Sequence, residues 1–516
     1  MQTVNRQRIH SMLSGRFNLP LLLFAAITLV SFFVRWWYFR NTVGLLYGVG
    51  TEEAFRLSYI TSAEGTAFFI GPFHAWVGRL LHLLFPDVIY ITRWMSLFFG
   101  VLTPGLLFFS FYRRHFFSAL FAGFALVLSP SHITLSTIGT AESLSFLLLF
   151  LCLFFLDRAW AAHEAYHDEQ SKWMSLLSAL CYGAVMLTRF ETWVLIPFLA
   201  IFVFVYFRRQ WLWWLPAILA PLYWLIKSRV IKGSFFASTS LIPQFSKAEA
   251  FENLSITSSL VENYTGMPVV LLAVFGAGWL LTRRNLRPLA VCGVTIVAFM
   301  LFMMRQGKIN SDPKYADNIV TWLYVFFGVG IGVLVHLIGK RMGVVIHSMK
   351  NEFLIKEKRR LILCVLLGAL VIVNLTLPTL IDYTKERFWR EKEPFSNFQP
   401  FFAVLSDINQ NAPVRFRRIY LMTSHYHQYY SRVYKPPELA NYISHQTWEK
   451  DVKVTKLTEQ LVKTIAKKGQ PSISLVVTEP YSVNAPIDDL AVEQTINGLH
   501  LQRVLVWKKF RVYQVE

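Results

Sequence analysis

Two adjacent carboxylates, Glu52 and Glu53, stand shortly after the first apolar run of the sequence and follow Gly48 and Gly50. A carboxylate held in a half-desolvated cleft can act as a general base that takes a proton from an attacking hydroxyl. Paired carboxylates are also ligands for divalent cations, so both residues are candidate metal ligands, although the sequence does not require a metal. A structural alternative stays open, because Thr51 is a suitable N-cap and acidic residues in a first turn stabilise a helix.

Three more charged residues lie at the edges of apolar runs. Glu142 stands about one turn inside such a run, and no cation lies four residues away to pair with it. A buried carboxylate needs a partner from elsewhere or a function, so Glu142 is a candidate catalytic residue. Arg189 and Glu191 separate two apolar runs with almost no loop between them. They are candidate cleft residues, or they simply pair with each other.

Two histidines occupy polar segments beside these carboxylates. His74 follows Pro72, and His132 lies in the Ser- and Thr-rich segment 129–143 that leads to Glu142. We interpret both histidines as candidate cleft residues. For His74, a place among aromatic residues at the membrane interface is the alternative.

Cations that could bind a phosphate lie at two places. Arg93 opens an apolar run, where a snorkelling arginine is the alternative interpretation. Basic residues at the bilayer surface bind lipid phosphate, whereas the alternative for a polar loop is simple solvation. The other candidates lie in one polar segment: Arg305, Lys308, Lys314 and Tyr315.

The composition is that of a polytopic membrane protein. Of the 516 residues, 54% are hydrophobic and only 16% are charged, well below the roughly 25% of soluble domains. We expect about eleven transmembrane helices. The candidate spans are 19–39, 92–112, 115–130, 138–157, 173–188, 190–207, 211–228, 267–282, 288–304, 318–339 and 361–380.

The net charge of +20 is concentrated in short basic tracts between these spans. This pattern fits orientation by the positive-inside rule, with a cytoplasmic N-terminus, better than a nucleic-acid surface. Alternation of the spans then places every candidate site residue at the outer surface of the cell membrane. The sequence therefore predicts one site there, built from distant segments.

Two domains are expected. Residues 1–380 form the transmembrane domain with a long first outer loop, 40–91, whereas residues 381–516 change to alternating apolar patterns such as R-V-L-V-W (503–507) and R-V-Y-Q-V (511–515). Alternation of this kind is typical of strands, and a helical pattern lies between the runs. We predict an extracytoplasmic α/β domain that ends in a β-hairpin.

The motifs in this order resemble a known family, the polyprenol-dependent glycosyltransferases of the GT-C class. The resemblance covers about the first 340 residues and is closest to the protein O-mannosyltransferase and aminoarabinose transferase group. It depends on the acidic pair, on an arginine that opens a span, and on the order of the remaining motifs. These motifs are Glu52-Glu53, Gly71-Pro72-Phe73-His74, Arg93, S-P-S-H-I-T-L-S (129–136) before Glu142, L-T-R-F-E-T-W (187–193) and Lys314-Tyr315.

The resemblance implies a membrane-embedded transferase with a sugar donor linked through phosphate to a polyprenol. Glu52 or Glu53 would deprotonate an acceptor hydroxyl, on a protein, a lipid or a glycan, and the cations would stabilise the departing phosphate. Membrane lipid is an expected partner, and nucleic acid is not. The main alternative is a lipid or solute transporter or flippase, which should expose polar residues to both faces. A non-catalytic scaffold is the third reading.

Overall fold

The structure is a computed structural model, and it describes the chain in segments separated by gaps. Contacts within the chain divide it into two compact units, residues 1–45 with 66–388 and residues 46–65 with 389–516. The described residues are 19–40, 60, 71–85, 88–206, 211–233, 235, 247–306, 313–342, 346–349, 352–355, 358–395, 418–422, 443–445, 474–478, 493–496, 499–507 and 510–515.

The first unit is helical. Short 3-10 segments, Phe190–Leu195 and Trp211–Trp214, precede α8 and α9. The helices are α1 Leu19–Tyr38, α2 Pro72–His82, α3 Val88–Phe111, α4 Phe116–Val127, α5 Pro130–Leu135, α6 Glu142–Glu164, α7 Asp168–Met186, α8 Ile196–Tyr206, α9 Leu215–Lys232, α10 Lys247–Thr265, α11 Met267–Thr282, α12 Arg287–Arg305, α13 Pro313–Arg341 and α14 Lys358–Phe395.

Six helices within the described residues are long and apolar enough to cross a membrane, or seven if the bent pair α10–α11 is one span. Shorter apolar helices, Phe116–Val127 and Phe190–Val205, lie beside them. The total of about eleven spans therefore stays a prediction. The six are Leu19–Tyr38, Ile91–Phe111, Glu142–Glu164, Arg287–Arg305, Tyr315–Arg341 and Arg359–Asp382.

Helix α13 lies at the centre of this unit and packs against α4 and α11. Its backbone approaches α4 so closely at Gly332 that a Cβ there would overlap the backbone of Ser118. Small residues let membrane helices approach in this way, because dispersion rather than the hydrophobic effect drives their association. The Ser118 hydroxyl donates to the Val329 carbonyl across the same contact, at 3.3 Å.

Segment 229–266, which lies between the predicted spans 211–228 and 267–282, contains helix α10. Its partly or fully buried side chains recur every three or four residues, at Leu254, Thr257, Val261 and Tyr264, which is the period of one helix face. A bend of 94° separates α10 from α11. Gly266 makes this bend with φ 69° and ψ 154°, a conformation that costs glycine little.

One short hairpin and a six-stranded sheet complete the described chain. Strands β1, Ile346–Met349, and β2, Glu352–Ile355, pair antiparallel between α13 and α14. The second unit contains a six-stranded mixed sheet of order β4-β3-β5-β8-β7-β6, in which β7 and β8 form the predicted hairpin. Its strands are β3 Arg418–Met422, β4 Ile443–His445, β5 Ser474–Thr478, β6 Glu493–Ile496, β7 Leu499–Trp507 and β8 Phe510–Val515. The α/β domain of residues 381–516 stays a prediction.

Candidate active site

The segment between α4 and α6 fixes the position of Glu142 through hydroxyl groups. Ser129 caps α5, where its Oγ accepts a hydrogen bond from the backbone N–H of His132 at 3.4 Å. The Ser143 hydroxyl donates to the Leu135 carbonyl at 2.7 Å, and the Thr140 hydroxyl donates to the same oxygen at 3.0 Å. Buried backbone oxygens need such partners. The turn that starts α6, and with it Glu142, is therefore held against α5.

Arg189 contacts two carboxylates from different parts of the chain. Its Nη1 donates to Glu142 Oε1, its Nη2 donates to Glu191 Oε1 at 2.7 Å, and its Nε donates to Glu191 Oε2 at 3.1 Å. The Glu142 side chain has no exposure to solvent, while those of Arg189 and Glu191 are 12% and 22% exposed. We call these three residues the Glu142 cluster.

One buried oxygen of the Glu142 cluster lacks a hydrogen-bond partner among the described residues. This oxygen is Glu142 Oε2. Native proteins rarely leave a buried carboxylate oxygen in this state, and such an atom points to a bound group or water. The cluster carries two negative charges and one positive charge, so it favours a hydroxyl, a water or a cation over a phosphate.

Helix α2 docks beside the cluster through its first residues. The Phe73 N–H donates to the Leu187 carbonyl at 3.0 Å, two residues before Arg189. A Cβ at Gly71 would overlap that same carbonyl, so glycine permits the contact. His74, which is 2% exposed, enters the protein interior at this point. The structure thus brings the Gly71-Pro72-Phe73-His74 motif to the segment that carries Arg189.

His132 contacts an arginine that sequence reasoning missed. Arg35 Nη2 is hydrogen-bonded to His132 Nδ1, and Arg35 Nη1 donates to the Ser31 hydroxyl at 2.7 Å. Both Arg35 and His132 are fully buried. Arg35 Nε and His132 Nε2 have no hydrogen-bond partner among the described residues. An arginine inside the first apolar run was the feature of the sequence that could have identified Arg35 as a candidate site residue.

The structure describes some of the candidate phosphate ligands but not all of them. Arg93 is 3% exposed in α3, so it is buried rather than extended to the membrane surface. Tyr315 is half-buried and Lys314 precedes it in the first turn of α13, whereas Arg305 is exposed in the last turn of α12. Glu52, Glu53 and Lys308 lie outside the described residues.

A second buried carboxylate was also missed. Asp317 is fully buried in the first part of α13, and its neighbour Asn318 is 7% exposed. The available signal was an acidic residue directly before a long apolar run, since Asp317 precedes the predicted span 318–339 by one position. Within the described residues no group of three or more His, Cys, Asp or Glu side chains could hold a metal. The metal prediction for Glu52 and Glu53 is not tested by that observation.

Known proteins resemble this chain in one segment by sequence and throughout by fold. The family model of dolichyl-phosphate-mannose-protein mannosyltransferases matches residues 70–226. The crystal structure of ArnT from Cupriavidus metallidurans in the apo state superposes with a TM-score of 0.56 over 96% of this chain and 97% of that one, at 15% identity. The predicted resemblance to the GT-C class is confirmed. The same ArnT bound to undecaprenyl phosphate gives a TM-score of 0.55 over 96% and 97%, at 16% identity. Comparison with curated proteins finds no match.

The GT-C fold and the apolar helices together identify an integral membrane protein. The segment that matches the family model contains His74, Arg93 and the whole Glu142 cluster. Side chains from the starts of α2, α3 and α6 and from the segment after α7 thus all lie within the range that the family model matches. Orientation in the membrane, with a cytoplasmic N-terminus, stays a prediction.

Proposed function

We propose that this protein is a membrane glycosyltransferase that moves a sugar from a polyprenyl-phosphate-linked donor to an acceptor hydroxyl at the outer face of the cell membrane. The observation that carries the proposal is the placement of the Glu142 cluster within the segment that matches the mannosyltransferase family. The fold shared with an ArnT structure that binds undecaprenyl phosphate supports a lipid-linked donor. A polyprenyl donor stays in the bilayer, which accounts for a site at the end of membrane helices.

In the reaction, the acceptor oxygen forms a bond to the anomeric carbon of the donor sugar. The bond from that carbon to the phosphate oxygen breaks, and the polyprenyl phosphate leaves with the electron pair. The acceptor proton passes to a carboxylate, for which we propose Glu52 or Glu53. Because the phosphate gains negative charge as it leaves, cations near it lower the barrier.

The charges of the candidate site residues suggest which part of the substrates each group binds. The Glu142 cluster has net negative charge and would repel the phosphate, so we assign it to the sugar or acceptor side. Glu142 Oε2, which has no hydrogen-bond partner in the described part of the chain, is available to accept a hydrogen bond from a hydroxyl there. We assign binding of the donor phosphate to the candidate cations and to Tyr315. The cations are Arg93, Arg305, Lys308 and Lys314.

The test is transfer by the purified full chain in liposomes, with a panel of radiolabelled polyprenyl-phosphate sugars. Release of polyprenyl phosphate is the readout, because it does not require the acceptor to be known. We expect one of Glu52→Gln and Glu53→Gln to lose activity about 10²–10⁴-fold. Glu142→Gln should also lower activity. Glu169→Gln, which removes an exposed carboxylate at the other end of the helices, is the matched control.

Two results would count against the proposal. Wild-type rates in both Glu52→Gln and Glu53→Gln would remove the base assignment, and movement of the intact donor across the bilayer without release of phosphate would favour a flippase. Treatment with a chelator tests the divalent cation. Loss of activity that Mg²⁺ or Mn²⁺ restores would support metal binding at Glu52 and Glu53.

A further inference from the structure

The buried contact between Arg35 and His132 joins α1 to α5 without adding much stability. Both side chains are fully buried, and Arg35 lies inside an apolar helix that is long enough to cross a membrane. No carboxylate among the described residues pairs with Arg35, and neither Arg35 Nε nor His132 Nε2 has a hydrogen-bond partner there. Replacing buried polar groups of this kind by apolar side chains is often neutral or stabilising. The property that distinguishes this pair from an apolar contact is its direction.

The hydrogen bond between the two side chains fixes the orientation of the His132 ring. A guanidinium can only donate, so His132 Nδ1 accepts the hydrogen bond from Arg35 Nη2. The neutral imidazole then carries its proton on Nε2. Arg35 is itself held within α1, because its Nη1 donates to the Ser31 hydroxyl at 2.7 Å and to the Ser31 carbonyl at 3.3 Å. The His132 ring therefore has one preferred orientation relative to α1.

A second hydrogen bond joins the same two helices. Tyr38 Oη and Thr134 Oγ1 lie 3.0 Å apart. Tyr38 follows Arg35 by three residues, so both side chains lie on one face of α1. Two directional contacts to the same face hold α5 more precisely than a single one, because they oppose rotation of the short helix about its axis.

Helix α5 in turn contacts the start of α6. The centre of the His132 ring lies 5.9 Å from that of Phe146, at 73° between the ring planes. Phe146 follows Glu142 by four residues and so lies on the same face of α6. At the last residue of α5, the Leu135 carbonyl accepts a hydrogen bond from the Ser143 hydroxyl at 2.7 Å. The position of α5 therefore affects the turn that carries Glu142.

We propose that Arg35 is a positioning residue for Glu142. It orients His132, and through His132 it sets the position of α5 and of the first turn of α6. The inference rests on the proposed function, in which Glu142 binds a hydroxyl of the sugar or the acceptor. Reactions that depend on orientation are sensitive to small movements, and a displacement of about 1 Å can lower the rate about 10²-fold. Arg35 is fully buried, so it acts on the reaction through the protein.

The first test separates position from stability. It measures kcat and KM for polyprenyl phosphate release by the purified full chain in liposomes, together with thermal unfolding. We expect His132→Phe to lower kcat about 10²-fold with little change in KM for the donor, because other residues are assigned to the donor phosphate. The double variant Arg35→Met with His132→Phe should recover stability but not kcat. A pair that only supported the fold would recover both.

Two amide variants test the hydrogen bond itself. Asparagine Oδ1 is separated from Cα by the same number of bonds as histidine Nδ1, so His132→Asn keeps an acceptor for Arg35. His132→Gln places its amide at the distance of Nε2 instead. We expect kcat of His132→Asn to exceed that of His132→Gln about tenfold. Equal kcat in the two amide variants would overturn the role of the Arg35 hydrogen bond.

Ser118→Ala is the matched control. It removes a buried hydrogen bond between α4 and α13, from the Ser118 hydroxyl to the Val329 carbonyl at 3.3 Å, and it leaves α1, α5 and α6 unchanged. This variant should unfold at a lower temperature than the wild type and keep its kcat. Wild-type kcat in His132→Phe, or in the double variant once stability has recovered, would overturn the proposal.

Amide hydrogen exchange supplies a readout that does not need activity. Residues 136–146 should exchange faster in His132→Phe than in the wild type, and no faster in Ser118→Ala. Unchanged exchange in His132→Phe would overturn the positioning role, whether or not the protein transfers sugar. Absence of polyprenyl phosphate release by the wild type would instead count against the proposed function, so the two failures are distinguishable.

Discussion

Arg189 joins Glu142 to Glu191 in one ion-paired cluster, although Glu142 lies 47 residues earlier in the sequence. The carboxylate of Glu142 has no exposure to solvent. In that environment an ion pair offsets the cost of desolvation only while both partners remain. Arg189 is therefore the cation that pairs with the buried Glu142 carboxylate, whatever the cluster binds.

Loss of Arg189 should destabilise the protein strongly. In Arg189→Met the buried Glu142 carboxylate loses its cation, and breaking a buried pair in this way costs roughly 3–5 kcal/mol. Thermal unfolding in detergent measures the effect. The double variant Arg189→Met with Glu142→Gln should be more stable than Arg189→Met alone, because the neutral amide no longer needs the cation.

Lys172→Met provides the comparison for this prediction. Its ammonium pairs with Glu169 at 2.7 Å, but the two side chains are 36% and 81% exposed. Exposed pairs contribute about 0–1 kcal/mol, so this variant should unfold close to the wild-type temperature. If Arg189→Met unfolds there too, the Glu142 carboxylate does not depend on Arg189.

The sequence was sufficient to select the residues of the Glu142 cluster as candidates. It was not sufficient to predict which residue pairs with Glu142. The absence of a nearby cation indicated that Glu142 needs a partner from elsewhere or a function, and the short loop made pairing of Arg189 with Glu191 one interpretation of that segment. Which residue meets Glu142 depends on how α6 packs against α7. Packing of that kind arises from many apolar contacts of similar strength, and no local pattern specifies it.

The helices were predicted best where an apolar run continues without interruption. Segments with mixed composition were harder, as α10 shows, because its half-polar sequence has the helical period without the hydropathy of a span. Arg35 was missed for the opposite reason. It stands in a run whose hydropathy marks a span, and its burial against α5 follows from tertiary contacts with His132.

Gly71→Ala should move α2 away from the segment that carries Arg189. The added Cβ would overlap the Leu187 carbonyl, a backbone atom that cannot turn aside, and the hydrogen bond from Phe73 would be strained. Overpacking of this kind costs about 1–3 kcal/mol. The unfolding temperature and the rate of polyprenyl phosphate release should both fall, since His74 moves with the helix.

Gly278→Ala is the matched control, because a Cβ on this α11 glycine would meet no atom within 4 Å. Alanine favours a helix interior over glycine by roughly 0.5–1 kcal/mol, so the control should be as stable as the wild type or more stable. Equal stability of Gly71→Ala and Gly278→Ala would contradict the close contact between α2 and Leu187.

Gly266→Val should weaken the bend between α10 and α11. Gly266 has φ 69° and ψ 154°, a combination that is essentially restricted to glycine, because the left-handed region that asparagine tolerates lies at ψ of about 45°. We expect a loss of about 1–3 kcal/mol for valine and a similar loss for Gly266→Asn. Thermal unfolding of both variants beside the wild type measures the loss. Wild-type unfolding temperatures in both variants would show that the bend does not require glycine.

The contact between Arg35 and His132 predicts a pair of variants whose effects do not add. In His132→Phe the buried guanidinium loses an acceptor, which costs roughly 1–3 kcal/mol. In the double variant with Arg35→Met neither polar group remains, and replacing buried polar pairs by apolar groups can be nearly neutral. The double variant should therefore be more stable than His132→Phe alone.

Thr134→Val serves as the control for this cycle, because it removes a neutral hydrogen bond between the same two helices, Tyr38 Oη to Thr134 Oγ1 at 3.0 Å. Its cost of about 1 kcal/mol should be the same with Arg35 or Met at position 35. If Arg35→Met fails to rescue His132→Phe, the guanidinium has another acceptor and His132 is not what holds it. Rescue with full transfer activity would show that the pair supports the fold at this end of α1. Rescue of stability without activity would show that the reaction depends on Arg35, on His132 or on both.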